Sequence, residues 1–140
     1  MIALPGNRWQ EYLEGKLTLL LGRRPIPFKN TRPLPKQKKG AVYLITAAVR
    51  GREYPYYVGR TKNVKQRVYT NHLMGSFSNA RLKNYLVKFG ECDDIVLAKR
   101  FIIDRCSIRW IPMEDYRKRG LVEGYITGKL RPKYGISEEH

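Results

Sequence analysis

Residues 41–59 read AVYLITAAVRGREYPYYVG, and they decide how the fold is built. Residues 41–49 are apolar and rich in β-branched side chains, and residues 54–59 are aromatic and extended in character. Between the two runs, residues 50–53 form a short polar segment that contains Gly51 and is typical of a turn. Two apolar runs joined by such a turn predict a β-hairpin.

Two helices are predicted after this hairpin. Asn63 and Gln66 form a capping-box pair, which predicts that a helix begins there. The next helix is capped by Ser78 or Asn79 and ends at Gly90. Its apolar stripe consists of Leu82, Tyr85, Leu86 and Phe89.

The last third of the chain contains two predicted strands, residues 95–103 and residues 106–111, followed by a helix from Pro112 to about Lys129. The predicted inner face of this helix consists of Tyr116, Leu121, Tyr125 and Leu130. Three glycines, Gly120, Gly124 and Gly128, weaken the helix or let another group approach it closely.

The N-terminal part differs in character from the rest. Residues 7–21 are predicted to form a helix, with Asn7 and Gln10 as its capping pair. Residues 22–39 are rich in proline, lysine and arginine, and they form either a linker or an arm that lies along phosphates. We therefore divide the chain into an N-terminal helix and basic arm, residues 1–39, and a main domain, residues 40–140. Because strands and helices come in blocks, the main domain is predicted to be α+β, with a small antiparallel or mixed β-sheet flanked by helices.

Charge is the strongest global signal. The 140 residues contain 28 Lys and Arg against 12 Asp and Glu, a formal net charge of +16. Such an excess favours a nucleic-acid partner, because each neutralised phosphate releases a condensed counterion. The sequence contains no apolar run long enough to cross a membrane and no signal peptide. We therefore expect no membrane partner and a cytoplasmic location, at the nucleoid or wherever the nucleic acid that it acts on is found. Cys92 and Cys106 lack the spacing of a zinc site and are expected to be buried and inert.

Most classes of nuclease active site need residues that this chain lacks. His72 and His140 are the only histidines, which excludes sites built from several histidines. Glu14 and Lys16 match half of a restriction-type carboxylate site, but no Asp precedes them. Asp93 and Asp94 are adjacent and are typical of a turn rather than of a two-metal site. What remains is chemistry that uses tyrosines, an arginine and few carboxylates.

Those residues occur in a recognisable order. Ala41-Val42-Tyr43 on the first strand is followed by Tyr57-Val58-Gly59 on the second, then by Arg67, and late in the chain by Glu123. This order resembles the GIY-YIG nuclease family over residues 40–136. Ala41 stands where the family usually has glycine, and Gly135 stands where many members have asparagine.

The resemblance implies a role for each of these residues in a metal-dependent DNA endonuclease. Tyr43 and Tyr57 would aim their hydroxyls at the scissile phosphate, and Arg67 would bind two phosphate oxygens. Glu123 would be the ligand of Mg²⁺ or Mn²⁺, and His72 would assist proton transfer or bind phosphate. The side chains of Tyr43, Tyr57, Arg67 and Glu123 are therefore expected to converge on one open, basic cleft.

Further residues are predicted to contact nucleic acid. Gly59 would let backbone or phosphate approach closely. Basic side chains would position phosphates without reading sequence: Arg60, Lys62, Lys65, Arg81 and Lys83 in the main domain, and Lys36, Lys38 and Lys39 in the arm. The expected partner is double-stranded or branched DNA, and a homodimer is one way in which single-strand cuts would become a double-strand break. Two alternatives stay open: a catalytically inactive DNA-binding module, and an RNA-binding protein that stacks bases on its tyrosines.

Overall fold

The computed structural model describes residues 1–30, 39–64 and 81–135. In that part of the chain the protein is α+β, as predicted, with a four-stranded sheet in which every strand pair is antiparallel and the order is β1-β4-β2-β3. The elements are α1 (Asn7–Leu21), β1 (Ile26–Pro27), a 3-10 turn (Phe28–Asn30), β2 (Ala41–Val49), β3 (Arg52–Thr61), α2 (Arg81–Lys88), α3 (Ile95–Arg105), β4 (Cys106–Pro112) and α4 (Tyr116–Leu130).

The predicted hairpin is confirmed as β2 and β3. Arg50 and Gly51 both have positive φ, 53° and 76°, which is the backbone of a two-residue turn that matches the twist of the strands. The register slips between Ile45 and Thr46, so that Tyr56 is an extra residue on β3. This bulge places Tyr56 and its neighbour in the same buried cluster, although neighbours on a regular strand point to opposite faces.

Each face of the sheet carries its own buried cluster. On one face, Tyr43 and Ile45 of β2 pack with residues of α2 and α3, and we call this the α2/α3 face. On the other, Val42 and Leu44 pack with α4 and with Leu20 of α1, and we call this the α4 face. The alternation along β2 follows from the two-residue period of a strand.

The N-terminal helix has the predicted bounds but not the predicted cap. Asn7 is already helical, and the N-cap is Gly6, which makes no side-chain hydrogen bond. Gln10 instead donates to Glu14. Leu20 reaches the core and Ile26 pairs with Ile108 of β4, so this segment joins the same sheet as the rest of the described chain.

The prediction of a strand over residues 95–103 is wrong, because α3 occupies them. The Asp94 side chain caps this helix by accepting a hydrogen bond from the backbone N–H of Leu97. Ala98 and Ile102, four residues apart, form its buried face. Apolar residues occur almost throughout this segment, so its hydrophobic pattern does not distinguish a buried strand from a helix. The strand predicted over residues 106–111 is confirmed as β4.

The last helix is confirmed, but its predicted inner face is wrong in part. Tyr116 and Leu121 are 73% and 51% exposed, whereas Tyr125 and Leu130 pack against the α4-face cluster as expected. The fully buried side chains form a different stripe, Arg119, Val122 and Ile126. Arg119 is buried with its guanidinium donating to the carbonyl of Met113 at 3.0 Å, which a hydrophobicity pattern does not anticipate.

Two smaller predictions have clear outcomes. Helix α2 buries Leu82 and Leu86 and is followed by Gly90 at a φ of 80°, as expected, but Phe89 of its predicted apolar stripe is 51% exposed. Cys92 and Cys106 are free and buried. Within the described ranges, no helix has the length and apolar character needed to cross a membrane.

Candidate active site at the edge of strand β3

Strand β3 is the last strand of the sheet, so one of its sides is not covered by another described strand. Its side chains alternate between the two faces: Tyr57 belongs to the α2/α3-face cluster and Val58 to the α4-face cluster. Arg60 lies opposite Val42, which places it on the α4 face. Groups from both faces can therefore meet at this edge.

The two predicted tyrosines lie together. Tyr43 pairs across the hairpin with Gly59, and Tyr57 pairs with Ile45, so the two tyrosines are diagonal rather than directly opposite. Their rings stack with centroids 6.1 Å apart and an angle of 26° between the planes. Both side chains are almost entirely buried.

Gly59 provides the space for this pair. A Cβ at this position would lie 2.4 Å from both Cζ and Oη of Tyr43. The close approach expected at Gly59 therefore exists, but the group that approaches is the phenol of Tyr43. Any larger residue would displace that hydroxyl.

Arg81, the first residue of α2, joins the tyrosines. Its guanidinium donates a hydrogen bond to Tyr57, and this contact together with the nearby Tyr85 and Tyr43 raises the pKa of Arg81. The residue is exposed at the surface, so its remaining N–H groups face solvent. From the sequence alone, Arg81 is predicted only to position phosphates.

Glu123 reaches the same edge from α4. Its side chain is 28% exposed, and its Oε2 lies 3.8 Å from Nε of Arg60. Burial raises the pKa of the Glu123 carboxyl, and the charges of Arg60 and Arg81 offset part of that increase. A half-buried carboxylate with a raised pKa gains from a nearby cation.

The expected single cleft needs a correction. The side chains of Tyr43 and Tyr57 project from the α2/α3 face of the sheet, whereas α4, which carries Glu123, packs on the opposite face. Arg81 hydrogen-bonds Tyr57, and its charge is near enough to Glu123 to offset part of the increase in the pKa of that carboxyl. We call Tyr43, Tyr57, Arg81 and Glu123 the edge site.

Two glycines shape the edge site. A Cβ at Gly120 would lie 2.5 Å from Nη1 of Arg60, so this glycine lets the guanidinium rest on α4 beside Glu123. A Cβ at Gly124 or at Gly128 would have no atom within 4 Å, so neither glycine is needed for a close approach. Gly135 has a φ of 95°, and its Cβ would lie 3.2 Å from the ring of Tyr57. A glycine there fits both the backbone and the packing.

Several predicted site residues lie outside the described residues. They are Arg67, His72, Lys65, Lys36 and Lys38. Of the described ones, Lys39 and Lys62 are exposed, as phosphate contacts require. Lys83 is 3% exposed, and its burial and the charge of Lys99 lower its pKa. This placement argues against a surface contact between Lys83 and a phosphate.

The donors at the edge site fit a hard divalent cation. Mg²⁺ commonly takes one or two protein carboxylates and completes its octahedron with water and phosphate oxygens. Glu123 offers one carboxylate, partly exposed and in reach of solvent. Residues 1–30, 39–64 and 81–135 contain no group of three or more His, Cys, Asp and Glu side chains placed to hold a metal. A metal bound here would therefore rely on Glu123 and on the substrate.

Comparison of the chain with models of protein families, with curated proteins and with solved structures gave no match.

Proposed function

We propose that this protein is a metal-dependent DNA endonuclease of the GIY-YIG type, which hydrolyses phosphodiester bonds at the edge site. The observation that carries the proposal is the position of Arg81. It hydrogen-bonds the phenol of Tyr57 and acts electrostatically on the carboxyl of Glu123 from the other side of the sheet. The sequence order predicted two tyrosines, Arg67 and one carboxylate. Arg67 lies outside the described residues, and in this proposal Arg81 supplies the cation beside the tyrosines.

The substrate is a polyanion because the chain carries a net charge of +16. Arg60, Lys62 and Arg81 are exposed along β3 and the start of α2, so they can contact successive phosphates. Such contacts fix the position of the DNA but carry no base specificity. A phosphate placed between Arg81 and Glu123 would lie beside the tyrosines.

In this proposal, each side chain has a distinct task. Arg81 binds non-bridging oxygens of the scissile phosphate and stabilises the charge that grows on them as water attacks phosphorus. Tyr57 acts as its phenolate, which the neighbouring guanidinium stabilises, and it becomes the neutral phenol when it accepts the proton that the attacking water loses. Tyr43, packed against that ring, holds it in position. The new oxygen–phosphorus bond forms as the bond to the leaving 3′ oxygen breaks.

Glu123 would hold Mg²⁺ or Mn²⁺ in this scheme, and the cation would supply charge stabilisation to the leaving oxygen. Ionised Glu123 is disfavoured by its burial, so a bound cation relieves the desolvation cost of the carboxylate. Arg60, 3.8 Å away, holds the carboxylate near the edge of β3.

The test is cleavage of supercoiled plasmid with Mg²⁺ or Mn²⁺, with chelator as the control. We expect relaxed circles before linear product, because one edge site cuts one strand. A protein that binds the plasmid but never cuts it with either metal would be an inactive binding module, and the proposed function would be wrong.

A further inference from the structure

A second aromatic group lies beside the edge site. Tyr85, Phe89 and Tyr134 stack on one another, with ring centroids 5.9 to 6.0 Å apart and interplanar angles between 5° and 21°. We call these three residues the aromatic surface. Tyr85 and Phe89 come from α2 and the residue after it, and Tyr134 comes from the segment that follows α4.

This group is open to solvent at one end and flanked by cations. Phe89 is 51% exposed, although it belongs to a stack whose other members are largely covered. The Lys88 ammonium lies 5.5 Å from its ring centroid, and the Lys133 ammonium lies 5.5 Å from that of Tyr134. A shallow pocket lined by Phe89, Gly90, Glu91, Lys133 and Tyr134 adjoins it. Lys133 also pairs with Glu91 at 2.6 Å, and Lys88 is the ammonium group that lies beside the exposed ring. An exposed ring with an ammonium group beside it suits a flat aromatic group linked to a phosphate.

The aromatic surface is continuous with the edge site. The ring of Tyr85 lies 6.4 Å from that of Tyr57, and Tyr85 contributes to the raised pKa of Arg81. Arg81 and Phe89 lie at opposite ends of α2, about 12 Å apart along its axis at about 1.5 Å per residue. That span is short enough for one DNA strand to reach both ends of α2.

A base that stacks on Phe89 has to be unpaired. In a duplex both faces of a base are covered by its neighbours, so a protein ring reaches such a face only where the strand is single or the base is flipped out. The exposed ring therefore fits a base in a single strand, and Lys88 beside it fits a phosphate of that strand.

We propose that the aromatic surface binds an unpaired base of the DNA substrate, on a strand that also reaches the edge site. The substrate class would then be duplex DNA that carries a single-stranded flap or gap next to the cut. The inference rests on the proposed nuclease function for its position, but it makes a claim about binding that is measurable without cleavage.

The test compares two labelled DNAs of equal length, one a continuous duplex and one with an oligothymidine flap. Affinities are measured in chelator, so that cleavage plays no part. We expect the unmodified protein to prefer the flap, and Phe89→Leu to reduce the flap-to-duplex affinity ratio by about tenfold, since one stacked base contributes roughly a 5- to 150-fold change in affinity. Phe89→Trp keeps an aromatic face and should keep the preference.

Tyr116→Leu is the matched control, because it removes an aromatic ring that is 73% exposed and lies on α4, which packs on the other face of the sheet. It should leave the affinity ratio unchanged. Equal flap and duplex affinities, or a ratio that Phe89→Leu does not alter in a protein of normal thermal stability, would overturn the inference. A Phe89-dependent preference in a protein that never cuts DNA would support the binding surface and contradict only the nuclease proposal.

Discussion

Two glutamates with similar burial have opposite environments in this protein. The side chain of Glu91 is 20% exposed and that of Glu123 is 28% exposed. Glu91 accepts hydrogen bonds from Lys133 and Tyr56, each at 2.6 Å, and from the hydroxyl of Tyr134. Glu123 pairs with Arg60, and the distance between Nε of Arg60 and Oε2 of Glu123 is longer, 3.8 Å.

The two environments shift the pKa values of the two carboxyls in opposite directions. Burial alone would raise the pKa of Glu91, but the hydrogen bonds from Lys133, Tyr134 and Tyr56 outweigh it, and the pKa is lowered. For Glu123, burial dominates the charges of Arg60 and Arg81, and the pKa is raised. Donors, rather than depth, therefore decide which buried carboxylate is a structural anchor and which keeps its oxygens available for a cation.

The first prediction concerns stability. Glu91→Ala removes the common acceptor of three donors that are partly buried, and we expect it to lower the free energy of unfolding by about 3 kcal/mol. Glu123→Gln should leave the unfolding free energy unchanged or slightly higher, because it removes a charge that burial disfavours. Denaturant unfolding of both variants checks the contrast. A larger loss for Glu123→Gln than for Glu91→Ala would reverse our assignment of the two roles.

The second prediction concerns Arg81. Arg81→Gln removes the guanidinium that links the tyrosines to Glu123, and we expect plasmid cleavage to slow by about 100-fold, the effect of losing one donor to the transition-state charge. Arg100→Gln makes the same charge change at an exposed position on α3 and is the control. Cleavage rates under conditions that saturate the enzyme with DNA separate this effect from weaker binding. Equal rates for the two variants would remove Arg81 from the edge site.

The third and smallest effect is a difference in pH dependence. The folded pKa of Glu91 is lowered, so its stabilisation is present above the ordinary value of 4.5 and is lost as the pH falls through the folded pKa. The folded pKa of Glu123 is raised, so its contribution is fully present below 4.5 and is lost as the pH rises through the folded pKa.

Because glutamine does not titrate, the stability difference between the unmodified protein and Glu91→Gln should increase with pH. The stability difference between the unmodified protein and Glu123→Gln should instead decrease as the pH rises. Thermal unfolding between about pH 3.5 and 7 measures both trends. Parallel trends would mean that the two carboxyls do not differ as described.

The sequence predicted local structure better than it predicted contacts across the sheet. The hairpin followed from its β-branched runs and from Gly51, and the bounds of α1 followed from helical spacing. In contrast, the strand predicted over residues 95–103 is a helix, because burial on one side and a cap at Asp94 decided between two forms that the apolar pattern allowed equally.

The candidate site was predicted in composition but not in geometry. Tyr43, Tyr57 and Glu123 could be named in advance, but the bulge in β3 and the opposite faces of α4 and the tyrosines depend on tertiary packing. Arg81 was one cation among 28 Lys and Arg residues, and nothing in the sequence separated it from the others. Arg67 and His72 lie outside the described residues, and their roles remain predictions.

The most direct test of the proposed function is the cleavage rate of Glu123→Gln compared with Glu11→Gln. Both substitutions remove one negative charge from a helix, but Glu11 lies on the exposed side of α1. We predict that Glu123→Gln lowers the Mg²⁺-dependent cleavage rate by at least about 100-fold while DNA affinity stays equal or becomes slightly tighter, and that Glu11→Gln cuts at the normal rate. Cleavage by Glu123→Gln at the rate of the unmodified protein would place the metal elsewhere and contradict the edge site.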